Sequence, residues 1–214
     1  MGLIHDQNRV AGRIDVACFT PGTLIATPTG EKAIETLREG DGVLTRDNGI
    51  QEICWIGQRV LSWAALTQNP HIKPILIRKD ALGPGQPDHD MQLSPNHRVL
   101  LAGSANSNGI GETEILTPVK YLVNDRTILS VEAMGVTYFH LMFDHHQVIL
   151  SNGAWSESFQ PGDFALRSVG NAQRLEILEI FPELQTSEGI ERYLAARPED
   201  KPSRKYRRDR RLDG

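Results

Sequence analysis

Between Ala17 and about Leu150 the apolar residues come in short, β-branched runs rather than at helical spacing. The runs are Thr23 to Thr27, Gly42 to Thr45, Ile53 to Ile56, Pro74 to Ile77, Arg98 to Leu101, Thr127 to Val131 and Gln147 to Leu150. Turn signals separate them, at Pro28-Thr29-Gly30, Gly40-Asp41-Gly42, Asp47-Asn48-Gly49 and Ser151-Asn152-Gly153. Short strands between closely spaced turns predict an all-β body. Asp47-Asn48-Gly49 is the strongest hairpin signal, because Asn-Gly readily takes the positive φ angles of a type I′ turn. From Asn171 the period changes. Leu175, Leu178 and Ile180 can share a helical face, and a second short helix is expected from Ser187 to Ala196, with Pro182 and Pro198 as bounds.

Two stretches of the body align without a gap: Ala33 to Leu44 (AIETLREGDGVL) and Pro118 to Leu129 (PVKYLVNDRTIL). Apolar residues recur at the same offsets, pairing Ile34 with Val119, Leu37 with Leu122, Val43 with Ile128 and Leu44 with Leu129. An apolar strand lies upstream of each copy. The repeat predicts two β units packed about a pseudo-two-fold axis, with any shared site drawn from distant parts of the chain.

Composition narrows the classes. With 214 residues, 39% hydrophobic and 23% charged, the chain is long enough for one real core and too apolar for disorder throughout. No stretch is long and apolar enough to span a membrane. The opening MGLIHDQNRVAGRID has no apolar core, so it is not a secretory signal peptide, and the expected location is cytoplasmic or export without a cleavable leader. The net charge of −4 conceals a basic tail: KPSRKYRRDRRLDG, from Lys201, carries +5, so the remainder carries −9. We read this tail as disordered and solubilising, and nucleic-acid binding is not expected.

Three places hold candidate chemistry. Cys18 stands after the small Ala17 at the edge of the first strand; a lone Cys is usually a buried hydrophobe, and its position before a turn raises the nucleophile reading. In Ser94-Pro95-Asn96-His97, a hydroxyl three residues before a His can orient the imidazole or bond a carbonyl oxygen, or simply end a turn. In Tyr138 to His146, three His and one Asp invite a metal reading; on a strand His140, Asp144 and His146 would share a face and His145 the other. Cys18 and Cys54 can form at most one bridge, and no clustered Cys/His spacing is present, so neither a metal nor a cofactor is expected.

Together these segments resemble the Hint (Hedgehog/intein) family over Cys18 to about Gly153. CFTPGTLIATPTGEKAIETLREGDGVLTRD is similar to its first block, SPNHRV to its Thr-x-x-His block, and YFHLMFDHHQVILSNG to its last β block. CFTPGT, LSPNHRVLL, HLMFDHHQVIL and GAWSESF point to a bacterial subgroup. The resemblance implies the horseshoe-like all-β Hint fold with an internal pseudo-two-fold, to which the helical pattern from Asn171 adds a short helical C-terminal appendage. The expected layout is a leader over 1–17, the Hint domain over 18–165, the appendage over 166–198 and the tail over 199–214.

The resemblance also implies self-cleavage at Ala17–Cys18 by an N-to-S acyl shift. Cys18 is then the nucleophile, His97 the general acid for the leaving nitrogen, and Ser94 the group holding His97 or the carbonyl oxygen. His140 or Asp144 fills the polar position of the last block. The substrate is the protein's own N-terminal segment, and a small nucleophile (water, a thiol, an amine or a sterol hydroxyl) accepts it. Splicing is not expected, because Asn152 to Ser156 lacks the His-Asn pair that cuts the second junction. The runner-up reading is an inactive Hint scaffold serving as an interaction or secretion-associated module. A third is a hydrolase or metalloprotein using His97, His140 and His146.

Overall fold

A computed structural model describes residues 17–103, 113–161, 170–193 and 196–197. The leader ahead of Ala17, the expected domain boundary at residue 165 and the basic tail lie outside the described residues. The strands are β1 (Leu24–Thr27), β2 (Gly30–Ala33), β3 (Gly42–Leu44), β4 (Ile50–Glu52), β5 (Trp55–Ser62), β6 (Ile75–Ile77), β7 (Met91–Leu93), β8 (Arg98–Gly103), β9 (Thr113–Pro118), β10 (Ile128–Ser130), β11 (Gly135–Met142), β12 (Val148–Ser151) and β13 (Ala154–Glu157). Among the described residues the α-helices are α1 (Trp63–Gln68), α2 (Asn171–Ile180) and α3 (Ser187–Arg192). None is long and apolar enough to cross a membrane.

The predicted pseudo-two-fold is visible in the strand order. The largest sheet runs β2-β1-β12-β13-β8-β9, so the hairpin β12–β13 is flanked by β1–β2 on one side and β8–β9 on the other. Both copies of the sequence repeat leave their hairpin through a short 3-10 turn, at Ile34–Thr36 and Val119–Tyr121, and then enter a three-residue strand, β3 or β10. The aligned positions explain this. Ile34 and Val119 are both fully buried, and each donates its N–H to the start of its own unit, to the Thr23 carbonyl at 2.8 Å and the His97 carbonyl at 2.9 Å. Val43 and Ile128 are buried in the same core. The repeat therefore places Thr23 and His97 at equivalent points of the two halves.

Local details depart from the sequence reading in three places. Asp47-Asn48-Gly49 does not form the type I′ turn. Leu44 pairs with Ile50, leaving a longer loop in which Gly49 is at φ +64° and the Thr45 hydroxyl accepts the Asn48 N–H. The type I′ conformation lies instead at Asn152-Gly153, with φ of +44° and +70°, joining Ser151 to its partner Ala154. The run Ile53 to Ile56 is broken between β4 and β5, because the Ile53 N–H turns to the Asp41 carbonyl and the Cys54 N–H to Met142.

The helical face also differs. In α2 it is Ile177, with Leu178 beside it, that packs inward, whereas Leu175 is exposed. Helix α3 stops at Arg192, short of Ala196, and the Thr186 hydroxyl caps its start by accepting the Gly189 N–H at 3.0 Å. The helical appendage packs on the β body. Ile177, Phe181, Leu184 and Tyr193 share one core cluster with Cys18, Trp55, Tyr138, Met142 and Phe159. Burial of such side chains contributes about 1.5–3 kcal/mol each. The Tyr193 hydroxyl pins the segment by donating to the Phe143 carbonyl at 2.7 Å.

Candidate active site

The chain from Ala17 to Thr20 runs as an extra strand between β7 and β11. Phe19 exchanges both backbone hydrogen bonds with Phe139 of β11, each at 2.9 Å, and bridges Leu93 of β7 on its other edge. Antiparallel pairing then sets everything else. One step back from the Phe19–Phe139 pair, Cys18 meets His140; one step back from Phe19–Leu93, it meets Ser94. The Ser94 N–H donates to the Cys18 carbonyl at 3.0 Å, and the His97 N–H to the Ser94 carbonyl at 3.0 Å. Residues far apart in sequence are thus brought together by backbone register alone.

His140 bridges the nucleophile and the bond beside it. Its Nδ1 lies 3.0 Å from the Ala17 carbonyl oxygen, and its Nε2 lies 3.9 Å from Cys18 Sγ. A carbonyl oxygen can only accept, so Nδ1 carries the proton and Nε2 presents its lone pair to the thiol. The Cys18 N–H, on the other side of the same peptide bond, donates to Ser94 Oγ at 3.0 Å. Both ends of the Ala17–Cys18 amide are therefore held by side chains.

Aromatic rings fix the two imidazoles. Trp55 lies nearly parallel to His140 at 6.3 Å between centroids, Phe159 stands edge-on to it at 5.5 Å, and Phe19 stands edge-on to His97 at 4.4 Å. Gly57 makes the first arrangement possible. It pairs with His140 across β5 and β11, and a Cβ there would fall 2.2 Å from the Trp55 ring. Gly57→Ala should therefore cost about 1–3 kcal/mol by forcing Trp55 off His140. A urea midpoint equal to that of the wild type would show that the ring has room to move.

Burial governs the electrostatics. Cys18, His97 and His140 have essentially no exposed surface. Desolvation pushes the Cys18 thiol up to about 12; the Ser94 hydrogen bond and the Arg59 charge act against this, and the Glu157 charge adds to it. Desolvation likewise brings His97 down to about 4, opposed chiefly by the Glu157 charge and the nearby Cys18 backbone, and aided by Arg98 and His140. His140 is brought down to about 4 for the same reason, with its bond to Ala17 working the other way. Neither ring nitrogen of His97 has a hydrogen bond of normal geometry. The Cys18 backbone lies close to that ring without making one.

Of the sequence candidates, Ala17, Cys18, Ser94, His97 and His140 converge, and Asp144 does not. Strand β11 ends at Met142, so Asp144 and His146 do not continue the His140 face. Asp144 is an exposed partner of the exposed His145, with 3.1 Å between Oδ2 and Nδ1. Ser94 Oγ accepts the Cys18 N–H and hydrogen-bonds the Cys18 thiol. His146 is buried apart from the thiol, against Glu157. No local sign in the sequence marks Glu157, since β13 reads Ala-Trp-Ser-Glu with as many polar as apolar residues, or the packing of the helices into the same core cluster as Cys18. A cleft of about 840 Å³ opens between Thr20–Thr23, Met91–Gln92 and Gly135–Thr137, but neither Cys18 nor His140 lines it.

A family model described as the Hint domain matches residues 17–163. Similar solved structures include the gp41-1 intein (TM-score 0.38, 15% identity, covering 65% of this chain and 97% of that one). A DnaB intein from Synechocystis is similar at TM-score 0.40 and 13% identity, over 66% of this chain and 98% of that one. A bacterial intein-like domain from Clostridium thermocellum is similar at TM-score 0.40 and 12% identity, over 66% and 97%. No curated protein matches the chain. The family match spans more than half of the sequence and takes in Ala17, Cys18, Ser94, His97 and His140, so the chain belongs to the Hint family, whose fold is that of self-processing domains.

Proposed function

We propose that the chain cleaves its own Ala17–Cys18 bond by an N-to-S acyl shift and releases the preceding segment from a thioester, without splicing. The observation that carries this reading is the single imidazole of His140 placed between the Ala17 carbonyl oxygen and the Cys18 thiol. Neutral His140 takes the thiol proton at Nε2 while Nδ1–H stays on the carbonyl oxygen, so the base becomes an imidazolium as the oxyanion forms. Sulfur bonds to the Ala17 carbonyl carbon through a five-membered ring, an attack favoured by proximity because Cys18 supplies both the thiol and the scissile nitrogen. The carbon–nitrogen bond then breaks as the nitrogen accepts a proton from the protonated form of His97 and leaves as an amine. The proton that His140 took from sulfur makes good the one His97 gave, both rings end as they began, and the step is a net isomerisation. Ser94 orients that nitrogen throughout by accepting its N–H.

The thioester is then open to an external nucleophile, which takes the acyl group and returns Cys18 as a free thiol with a free α-amine. The missing His-Asn pair at Asn152 to Ser156 supports cleavage rather than splicing. The test uses the full chain incubated with hydroxylamine or dithiothreitol and read by intact mass. The expected result is loss of residues 1–17 and a fragment beginning at Cys18. A chain that stays intact, or is cut elsewhere, would overturn the reading.

A further inference from the structure

Glu157, at the end of β13, is a carboxylate with 1% of its surface exposed in the middle of a β body. Such a group costs several kcal/mol unless it is paired, so its partners define what it is for. Its Oε1 accepts the backbone N–H of Arg98 at 2.9 Å, and its Oε2 accepts from Arg98 Nη1 at 2.9 Å. The first of these bonds grips the peptide that directly follows His97. His146 Nε2 lies 3.4 Å from Oε2, without the geometry of a well-formed hydrogen bond. Register explains the reach: Ser156 pairs with Val99, which brings the next residue of β13 alongside the start of β8.

The acyl shift needs His97 in its protonated form at the moment the nitrogen leaves, and burial opposes that form. Among the described residues the Glu157 charge does most to favour the ring's positive form, the Cys18 backbone comes next, and Arg98 and His140 disfavour it. Glu157 is itself held ionised: burial works against its charge, but His146, Arg98 and His97 outweigh burial.

We propose that Glu157 is a positioning residue for the acyl shift, its buried carboxylate fixing the His97–Arg98 peptide and supporting the positive charge on the His97 ring as it delivers a proton to the Cys18 nitrogen. This rests on the cleavage reading above, and two readouts separate the fates of the two. Glu157→Gln keeps an oxygen for the Arg98 N–H and removes the charge together with the acceptor for Arg98 Nη1. In the full chain it should slow hydroxylamine-induced release about tenfold and lower the His97 titration midpoint, followed by NMR of the ring, by about one pH unit. Arg98→Gln removes a positive charge that disfavours the protonated ring and should raise that midpoint, which keeps the proposal testable if Glu157→Gln folds poorly.

Unchanged release in Glu157→Gln overturns the proposal. Slowed release with an unmoved His97 midpoint also overturns it, because the loss is then merely structural. If the wild type itself releases nothing, the cleavage reading has failed; the midpoints alone then decide whether Glu157 controls His97, and midpoints that stay put in both variants overturn it.

Discussion

Cys18→Ala should abolish release of residues 1–17 altogether, and His140→Ala should slow it by about a thousandfold or more. Alanine at position 18 leaves the amide with no internal nucleophile, and the Ala17 carbonyl is then an ordinary peptide carbonyl in a buried site. The effect at His140 is compound. The imidazole is the base for a thiol that burial holds near 12 and the hydrogen-bond donor to the oxygen on which charge develops. Removal of a positioned base costs typically about 10²–10⁴ in rate, and removal of an oxyanion donor about 10²–10³. The two are not additive, since one ring serves both roles. Far-UV circular dichroism of each variant would establish that the β body persists, and release rates by intact mass would be compared under hydroxylamine. A folded His140→Ala protein that releases the segment at the wild-type rate would reduce His140 to a packing residue between Trp55 and Phe159.

The body of the fold is legible in the sequence because its halves repeat. Ile34 with Val119 and Val43 with Ile128 are core positions of two matching units, and a gapless alignment is enough to pair them. Strand β11 is harder to read. Its burial runs without alternation from Tyr138 to Met142, because Phe19 covers one edge, β5 covers the other, and packed residues lie on both faces. That unbroken run hides the strand end at Met142 and made Asp144 look like a neighbour of His140. The convergence of Cys18 with Ser94 and His140 follows from two antiparallel registers, which local patterns do not encode. Glu157 was passed over because a charged residue is ordinarily exposed; only its pairing with the Arg98 backbone reveals it as an inward-facing group.

Acidification from pH 6.5 to 4.5 should destabilise the folded chain steeply. His97 and His140 bind protons at about 4 in the folded state, against an ordinary value of 6.5 in the unfolded chain. Across this window the unfolded state therefore holds more protons than the folded one, and stability falls as the pH falls. At two pH units and about 1.4 kcal/mol per unit, each fully buried ring accounts for about 2–3 kcal/mol, or about 5 kcal/mol together. That is comparable to the whole stability of many domains. Above 4.5 Glu157, held below the ordinary carboxylate range, stays ionised and keeps its contacts with Arg98 and His146, so its protonation is not the cause. Urea midpoints at several pH values would measure the slope, and His97→Gln should reduce it by roughly half because one of the two titrating rings is gone. A flat profile between 6.5 and 4.5 would mean that the histidines already carry protons in the folded protein. The neutral Nε2 assigned to His140 would fall with it, and with that the base for the Cys18 thiol.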